Sequence, residues 1–351
     1  MPELIFEDRE RCLVLQRSNT YTPQFVEFLQ GIVWGSGGVQ YTMPKVADSL
    51  NRLQDPHFFS LTQNGQLVAV TSINYKTTIL QGQTYPACYS YGIAVHPAQR
   101  GLGLGTLMAE HRLRYGLDLM GPKGLFYGYI EADNINSLKT ITKVGSKSFG
   151  QYQALFLSRL FPRHQARVQK LDEPMKEQMV TLLSRQYGSH ALTDLDQSVR
   201  VDEYYILREK EEIVAGVQCH KQQLTIKHMP GASGLFLARV LPHLPAVRRL
   251  FPERNLHFLT FGNIYGKPGR EGTVFSLLEA LLARHRLHFA MIYMDSRSPV
   301  YQRLAAACKF GLFHPFINIP VQVMGYFKGF SAGEIAAIRR QPLFVSMNDP
   351  V

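Results

Sequence analysis

Three glycines alternate with leucines at the mouth of a helix in the stretch Arg100-Gly101-Leu102-Gly103-Leu104-Gly105-Thr106, and no other feature limits the fold of this chain as tightly. Glycine inside a helix costs roughly 1 kcal/mol relative to alanine. Three of them at a helix entrance keep side chains away from that entrance. A helix N-terminus presents unpaired N–H groups and a partial positive charge. It binds phosphate when the main chain can be approached closely, and Arg100 adds a full charge beside it. The stretch therefore reads as a pyrophosphate cradle between a strand, 86–95, and a helix, 103–120. A nucleotide P-loop is excluded because no Gly-Lys-Ser/Thr ending follows. A dinucleotide fingerprint is excluded because the spacing is G-x-G-x-G and the nearest acid, Asp118, falls within the helix.

The elements around the cradle alternate. Strands over 12–18, 86–95, 124–132 and 148–158 are interleaved with helices over 22–33, 45–54, 103–120 and 136–144. A hairpin over 58–75 turns at Asn64-Gly65. This order predicts a mixed sheet with helices on its faces. The cradle helix is expected to bury Leu107, Met108, His111, Leu113 and Leu117. A basic, proline-containing segment, 160–170, separates a second half that runs through a similar order. Gly105-Thr106 precedes the stop at Lys143-Val144-Gly145 by 40 residues, and Gly272-Thr273 precedes Lys309-Phe310-Gly311 by 39. The expected class is α/β, with a mixed α+β sheet in each of two tandem domains, 1–160 and 165–351.

The pattern from Arg100 to Gly105 resembles motif A of the GCN5-related N-acetyltransferases (the GNAT superfamily). His96-Pro97, Asn134 followed by a small Ser137, and Lys143-x-Gly145 look like the same family, over residues 10–158 in element order. The resemblance implies transfer of an acetyl or other acyl group from acetyl-CoA to an amine by direct attack. It implies a coenzyme A pyrophosphate on the amides of Gly101, Leu102, Gly103, Leu104, Gly105 and Thr106. It also implies a pantetheine arm beside the strand at Ile93, Ala94 and Val95, with Asn134 contacting that arm. Many members place a tyrosine as general acid seven residues after the Asn, where this chain has Ile141. The sulfur would then take its proton from water, because a thiol of pKa about 8.5 is a tolerable leaving group. The strand before the cradle carries no acid, so Glu131, at the end of the next strand, is the candidate base. Tyr91, one of four tyrosines with Tyr89, Tyr127 and Tyr129 on the two strands, is the second candidate catalytic residue. The loop 34–41 is placed to act as a lid, with Trp34 or Tyr41 touching the acceptor. The chemistry needs no metal, and no metal-ligand spacing is present.

The second half repeats the order without the chemistry. Aligning Gly272 with Gly105 sets Lys267 opposite Arg100, Pro268 opposite Gly101, Arg270 opposite Gly103 and Glu271 opposite Leu104. Val300 replaces the Asn. Bulk and a carboxylate both oppose a phosphate, so a degenerate acetyltransferase-like domain is expected, serving the acceptor cleft, dimerisation or a partner.

Net charge is +11, with 14 basic against 11 acidic residues in 1–160 and 24 against 16 beyond. The charge suits polyanions, but no Lys/Arg run or low-complexity arm offers a dedicated nucleic-acid surface. No apolar run approaches the ~18 residues that span a bilayer. The four scattered cysteines and the charged start MPELIFEDRE fit a reduced, cytoplasmic protein. The competing reading is a coenzyme A-binding pseudoenzyme or scaffold built on two such domains.

Overall fold

The computed structural model describes residues 2–35, 39–228, 255–311 and 319–349. The first half contains β1 (Glu3–Asp8), β2 (Leu13–Ser18), α1 (Pro23–Gly31), β3 (Gln40–Thr42), α2 (Val46–Leu50), β4 (Pro56–Gln63), β5 (Gln66–Leu80), β6 (Gln83–Val95), α3 (Leu104–Leu119), β7 (Gly124–Glu131), α4 (Ile135–Lys143) and β8 (Lys147–Ser158). The second contains β9 (Val168–Lys170), α5 (Glu173–Tyr187), α6 (Leu195–Ser198), β10 (Tyr204–Glu209), β11 (Glu212–His228), β12 (Asn255–Gly266), α7 (Glu271–His285), β13 (Phe289–Met294), α8 (Pro299–Ala306), β14 (Ile319–Lys328) and α9 (Ala332–Arg340). This is the mixed α/β class expected from the sequence.

Local chemistry sets the boundaries. The Thr22 hydroxyl accepts the Phe25 N–H at 3.3 Å and Pro23 opens α1. Asn64 and Gly65 both have positive φ, 50° and 76°, which is the twist a two-residue hairpin needs. Gln81 and Gly82 repeat it, at 52° and 75°. That second turn carries β5 on to Leu80 and starts β6 at Gln83, eight strand residues beyond the expected 58–75 hairpin and 86–95 strand. β1 was also left out, because its six residues are too polar to stand out and it pairs only at the sheet edge.

The strands form one continuous sheet in the order β1-β2-β4-β5-β6-β7-β14-β8-β13-β12-β11-β10-β9, with β3 pairing with β11. The centre is an exchange. β14, from the second half, lies antiparallel between β7 (Val321 opposite Glu131) and β8 (Val321 opposite Tyr152). β8, from the first half, pairs with β13 (Phe289 opposite Ser158). Each half has one parallel pair, β6–β7 and β12–β13, and each receives the other's last strand beside it. The boundary expected at 160–165 falls in the connection between β8 and β9.

Helix α3 covers one face of the first half. Its buried residues are Leu104, Met108, Ala109, Arg112, Leu113 and Gly116. The expected stripe held Met108 and Leu113 but missed Arg112, a charged residue that sequence periodicity assigns to solvent. Helices α1 and α2 cover the opposite face together with the segment after α9. That segment pairs with Ala191 on both sides, Ala191 N–H to Pro342 O and Phe344 N–H to Ala191 O, both 2.9 Å, and is buried from Leu343 to Asp349. Of the expected lid, Gly37 and Gly38 lie outside the described residues, as does the stretch GLFLARVLPHLPAVRRLF, 234–251.

The exchange gives a direct expectation. Residues 1–160 produced alone lack β14, so β7 and β8 lose the strand that joins them and expose unpaired edges. The fragment should aggregate or melt without a cooperative transition by circular dichroism, whereas the full chain unfolds cooperatively. A monomeric fragment with a sharp transition would mean that β7 and β8 pair directly and the exchange is dispensable.

Candidate active site

The site begins where two strands part. The parallel ladder between β6 and β7 runs from Ala87 opposite Leu125 to Ser90 opposite Gly128 and ends there. β6 continues to Val95, held by β5 on one side, with Ala69 opposite Val95. Its other edge, Tyr91 to Val95, faces an opening. A bulge starts the parting: the β5–β6 register shifts between Val70 and Ser72, and Gly92 adopts φ +46°. A Cβ on Gly92 would lie 3.1 Å from the Trp34 indole, so the conformation favours glycine there and the space is tight.

The cradle follows β6. Gly101 and Gly103 have φ +85° and +79°, and α3 starts at Leu104 with no side-chain cap and no acid in its first turn. Backbone conformation adds a second demand for glycine at two of the three positions. Added Cβ atoms at 101 and 103 meet nothing within 4 Å, so the left-handed backbone is what demands glycine. Gly105 lies in the helix proper, and a Cβ there would meet only the Val95 methyl at 3.9 Å. It keeps the approach to the helix end open. Arg100 donates to the Val95 carbonyl at 3.4 Å. Leu102 points outward, 56% exposed, and its carbonyl accepts from Arg11 at 3.2 Å.

One cavity of about 1400 Å³ starts at this cradle and continues across the sheet into the second half. Every residue expected from sequence to contact the cofactor lines it except Leu102, and so do Glu131 and Tyr91. Asn134 is the N-cap of α4, its carbonyl accepting the Ser137 N–H at 3.1 Å. Its amide nitrogen is the group left for a ligand. An extended arm with alternating amide donors and acceptors fits the bare β6 edge, and a diphosphate fits the uncapped end of α3.

The acid–base groups gather opposite this edge. Tyr41 donates to Glu131 at 3.4 Å, and burial, then the nearby Asp133 charge, raises the Glu131 carboxyl above its ordinary value. Tyr41 comes from β3, which β11 of the second half holds in place, with Ile226 opposite Tyr41. Main-chain bonds between Trp34 and Tyr41, 2.8 and 3.1 Å, tie the two ends of the expected lid together. Burial pushes the Tyr91 phenol up, so it stays neutral.

Sequence reasoning missed a buried charge cluster behind the tyrosines. Asp349 lines the cavity. Its carboxylate accepts from Lys76 at 2.7 Å, from Tyr127 at 2.7 Å and from Tyr129 at 3.2 Å. Lys76 also donates to Asp194 at 2.8 Å, and all three charged residues are at most 6% exposed. Burial pulls the Lys76 ammonium down, but the two carboxylates outweigh it and hold it above its ordinary value. No spacing in the sequence links positions 76, 194 and 349.

The matching loop of the second half is closed. Gly269 keeps φ +78°, but Glu271 Oε1 accepts the Gly269 N–H at 3.1 Å and lies 3.4 Å from Arg303. Lys267 is paired with Glu212 at 2.6 Å. The loop before α7 is bonded by the chain's own carboxylate.

Residues 26–145 match the model of the acetyltransferase (GNAT) family. Saccharomyces cerevisiae N-myristoyltransferase with bound myristoyl-CoA shares the fold over 99% of this chain and 84% of its own, with a TM-score of 0.53 and 12% identity. A GCN5-related glucosamine N-acetyltransferase region of a fungal multi-domain GH3 β-N-acetylglucosaminidase covers 89% of this chain and 38% of its own, with a TM-score of 0.55 and 12% identity. Comparison with curated protein sequences gives no match.

The Lys76 cluster is testable by itself. Lys76→Met leaves Asp194 and Asp349 buried without their cation, a change that costs about 3–5 kcal/mol. Urea unfolding should show that loss, and a loss under about 1 kcal/mol would mean the carboxylates are compensated by other groups.

Proposed function

We propose that this protein is an acyl-CoA-dependent N-acyltransferase, with the thioester held by the first half and the amine acceptor entering from the tyrosine-lined side of the cavity. One observation carries the reading: among the described residues, the β6 edge from Tyr91 to Val95 is bare immediately before a helix end that no side chain caps. Main-chain groups at Ile93 and Val95 would pair with the pantetheine arm, and an N–H there would polarise the thioester carbonyl. The amides from Gly101 to Thr106, with Arg100, would hold the diphosphate.

The reaction balances with the groups present. An acceptor ammonium gives one proton to Glu131. The amine nitrogen then attacks the thioester carbon, a C–N bond forms and the C–S bond breaks. The amide nitrogen sheds its second proton, and the thiolate takes up one from solvent. Tyr91, held neutral by burial, donates a hydrogen bond during this sequence.

The acyl group is acetyl in the first reading. The cavity favours a second one. At about 1400 Å³ it exceeds the usual ligand-site range of ≈300–1,000 Å³, and its far wall is apolar, with Ile226, Phe258, Phe289 and Met291. A longer acyl chain fits that wall, as the myristoyl-CoA bound to the yeast enzyme illustrates. Comparing turnover of acetyl-CoA and long-chain acyl-CoA with an amine panel separates the two. Coenzyme A binding without turnover of either would favour the pseudoenzyme.

Gly105→Leu should raise the melting temperature, because it replaces glycine in a helix. The same change should weaken coenzyme A binding at least about tenfold by calorimetry, a loss of about 1.4 kcal/mol. Unchanged affinity would remove the diphosphate from the end of α3. Glu131 must be deprotonated to act, and its carboxyl is raised. Activity should therefore fall as pH drops through a value above the ordinary carboxylate range of about 4.3. Glu131→Gln should abolish that limb of the profile. A limb that survives in the variant belongs to another group.

A further inference from the structure

Arg112 is a cation in the wrong place for a structural residue. It sits on α3, eight residues past Leu104, about 12 Å along the axis at 1.5 Å per residue. It is 2% exposed and lines the same cavity as Ser90, Tyr91 and Ile93. Among the described residues no carboxylate pairs with it. Its Nη1 donates to the Thr71 hydroxyl at 2.6 Å, and that hydroxyl donates to the Tyr91 carbonyl at 3.3 Å. The guanidinium lies over the Phe126 ring, 5.6 Å from its centroid, and its Nε has no partner. Burial pulls its pKa down to about 9, so it remains charged at neutral pH.

A buried guanidinium without a carboxylate partner is costly, and one hydroxyl and one ring contact leave its charge uncompensated. It becomes favourable when an anion arrives. The diphosphate cannot be that anion, because the start of α3 lies two turns away. What comes to the parting of β6 and β7, beside Tyr91, is the reacting end of the thioester. We propose that Arg112 stabilises the negative charge that develops on the coenzyme A sulfur as the C–S bond breaks. The inference rests on the acyltransferase reading and adds a residue to it. No proton moves to or from Arg112. It lowers the basicity of the sulfur so that the thiolate departs before solvent protonates it. The chain through Thr71 to the Tyr91 carbonyl fixes the guanidinium at the bulge from which the open edge of β6 begins.

The experiment titrates coenzyme A bound to the full-length protein, following thiolate absorbance in the ultraviolet against pH. In the wild type the bound thiol should titrate at least about one unit below its free value of about 8.5. Arg112→Lys should keep part of that shift. Arg112→Met and Arg112→Gln should return the thiol to its free value or above, while calorimetry below the titration range shows coenzyme A affinity changed less than about threefold. Either neutral variant serves, provided its melting curve shows it folded. A wild-type thiol that titrates at its free value overturns the proposal without any variant, as does one shift shared by wild type and neutral variants. A wild type that fails to bind coenzyme A would instead sink the acyltransferase reading on which the proposal stands.

Discussion

Backbone groups in a sheet must be paired, and β14 is where both halves send theirs. The strand accepts β7 along one edge and β8 along the other, so a single ten-residue segment closes two sheets. Because β7 is satisfied by β14, it is free to leave β6 after Gly128. The β6 edge can then stay bare without leaving β7 unpaired as well. The opening that defines the site is therefore a consequence of strand order: one neighbour is given up because another has been supplied. Main-chain hydrogen bonds are modest in net worth, about 1 kcal/mol each, but expensive to leave unmade in the interior. That asymmetry is why the exchange and the opening occur side by side.

Electrostatics follow the same plan. Three charged groups, Lys76, Asp194 and Asp349, are buried together with two tyrosine hydroxyls donating to the last of them. They tie β5, the segment before α6, and the segment after α9 into one wall of the cavity. Arg112, on the opposite side of the sheet, has hydroxyl and aromatic contacts but no anion. The first cluster pairs its charges within the fold, and Arg112 has no carboxylate beside it among the described residues.

Much of the fold was legible from the chain alone because it depends on neighbours in sequence. Asn64-Gly65, the Thr22-Pro23 helix start and the run from Arg100 to Thr106 each carry their structure within a few residues. The cradle was readable for the same reason, whereas the open strand edge beside it was implied only by the family resemblance. What was not legible depends on distance. Periodicity marks β14 as a strand but is silent about its partners, about 190 positions away at Glu131 opposite Val321. Asp349 meets Lys76 across 273 positions and Tyr41 meets Glu131 across 90. Arg112 was hidden differently: a charged residue on an amphipathic helix is assigned to solvent, and only burial reveals the exception. Gln81-Gly82 shows that a turn can form from a dipeptide weaker than Asn-Gly when both strands continue on either side.

The insertion of β14 also has a consequence in time. A ribosome finishes β8 at residue 158 and does not reach the start of β14 at 319 until roughly 8–30 s later, at ~5–20 residues per second. Through that interval the nascent first half has its glycine turn and its parting strands but not the segment that completes them. Chaperones would meet a domain whose middle is still being translated, and the cavity can close only when the two ends of the message have both been read.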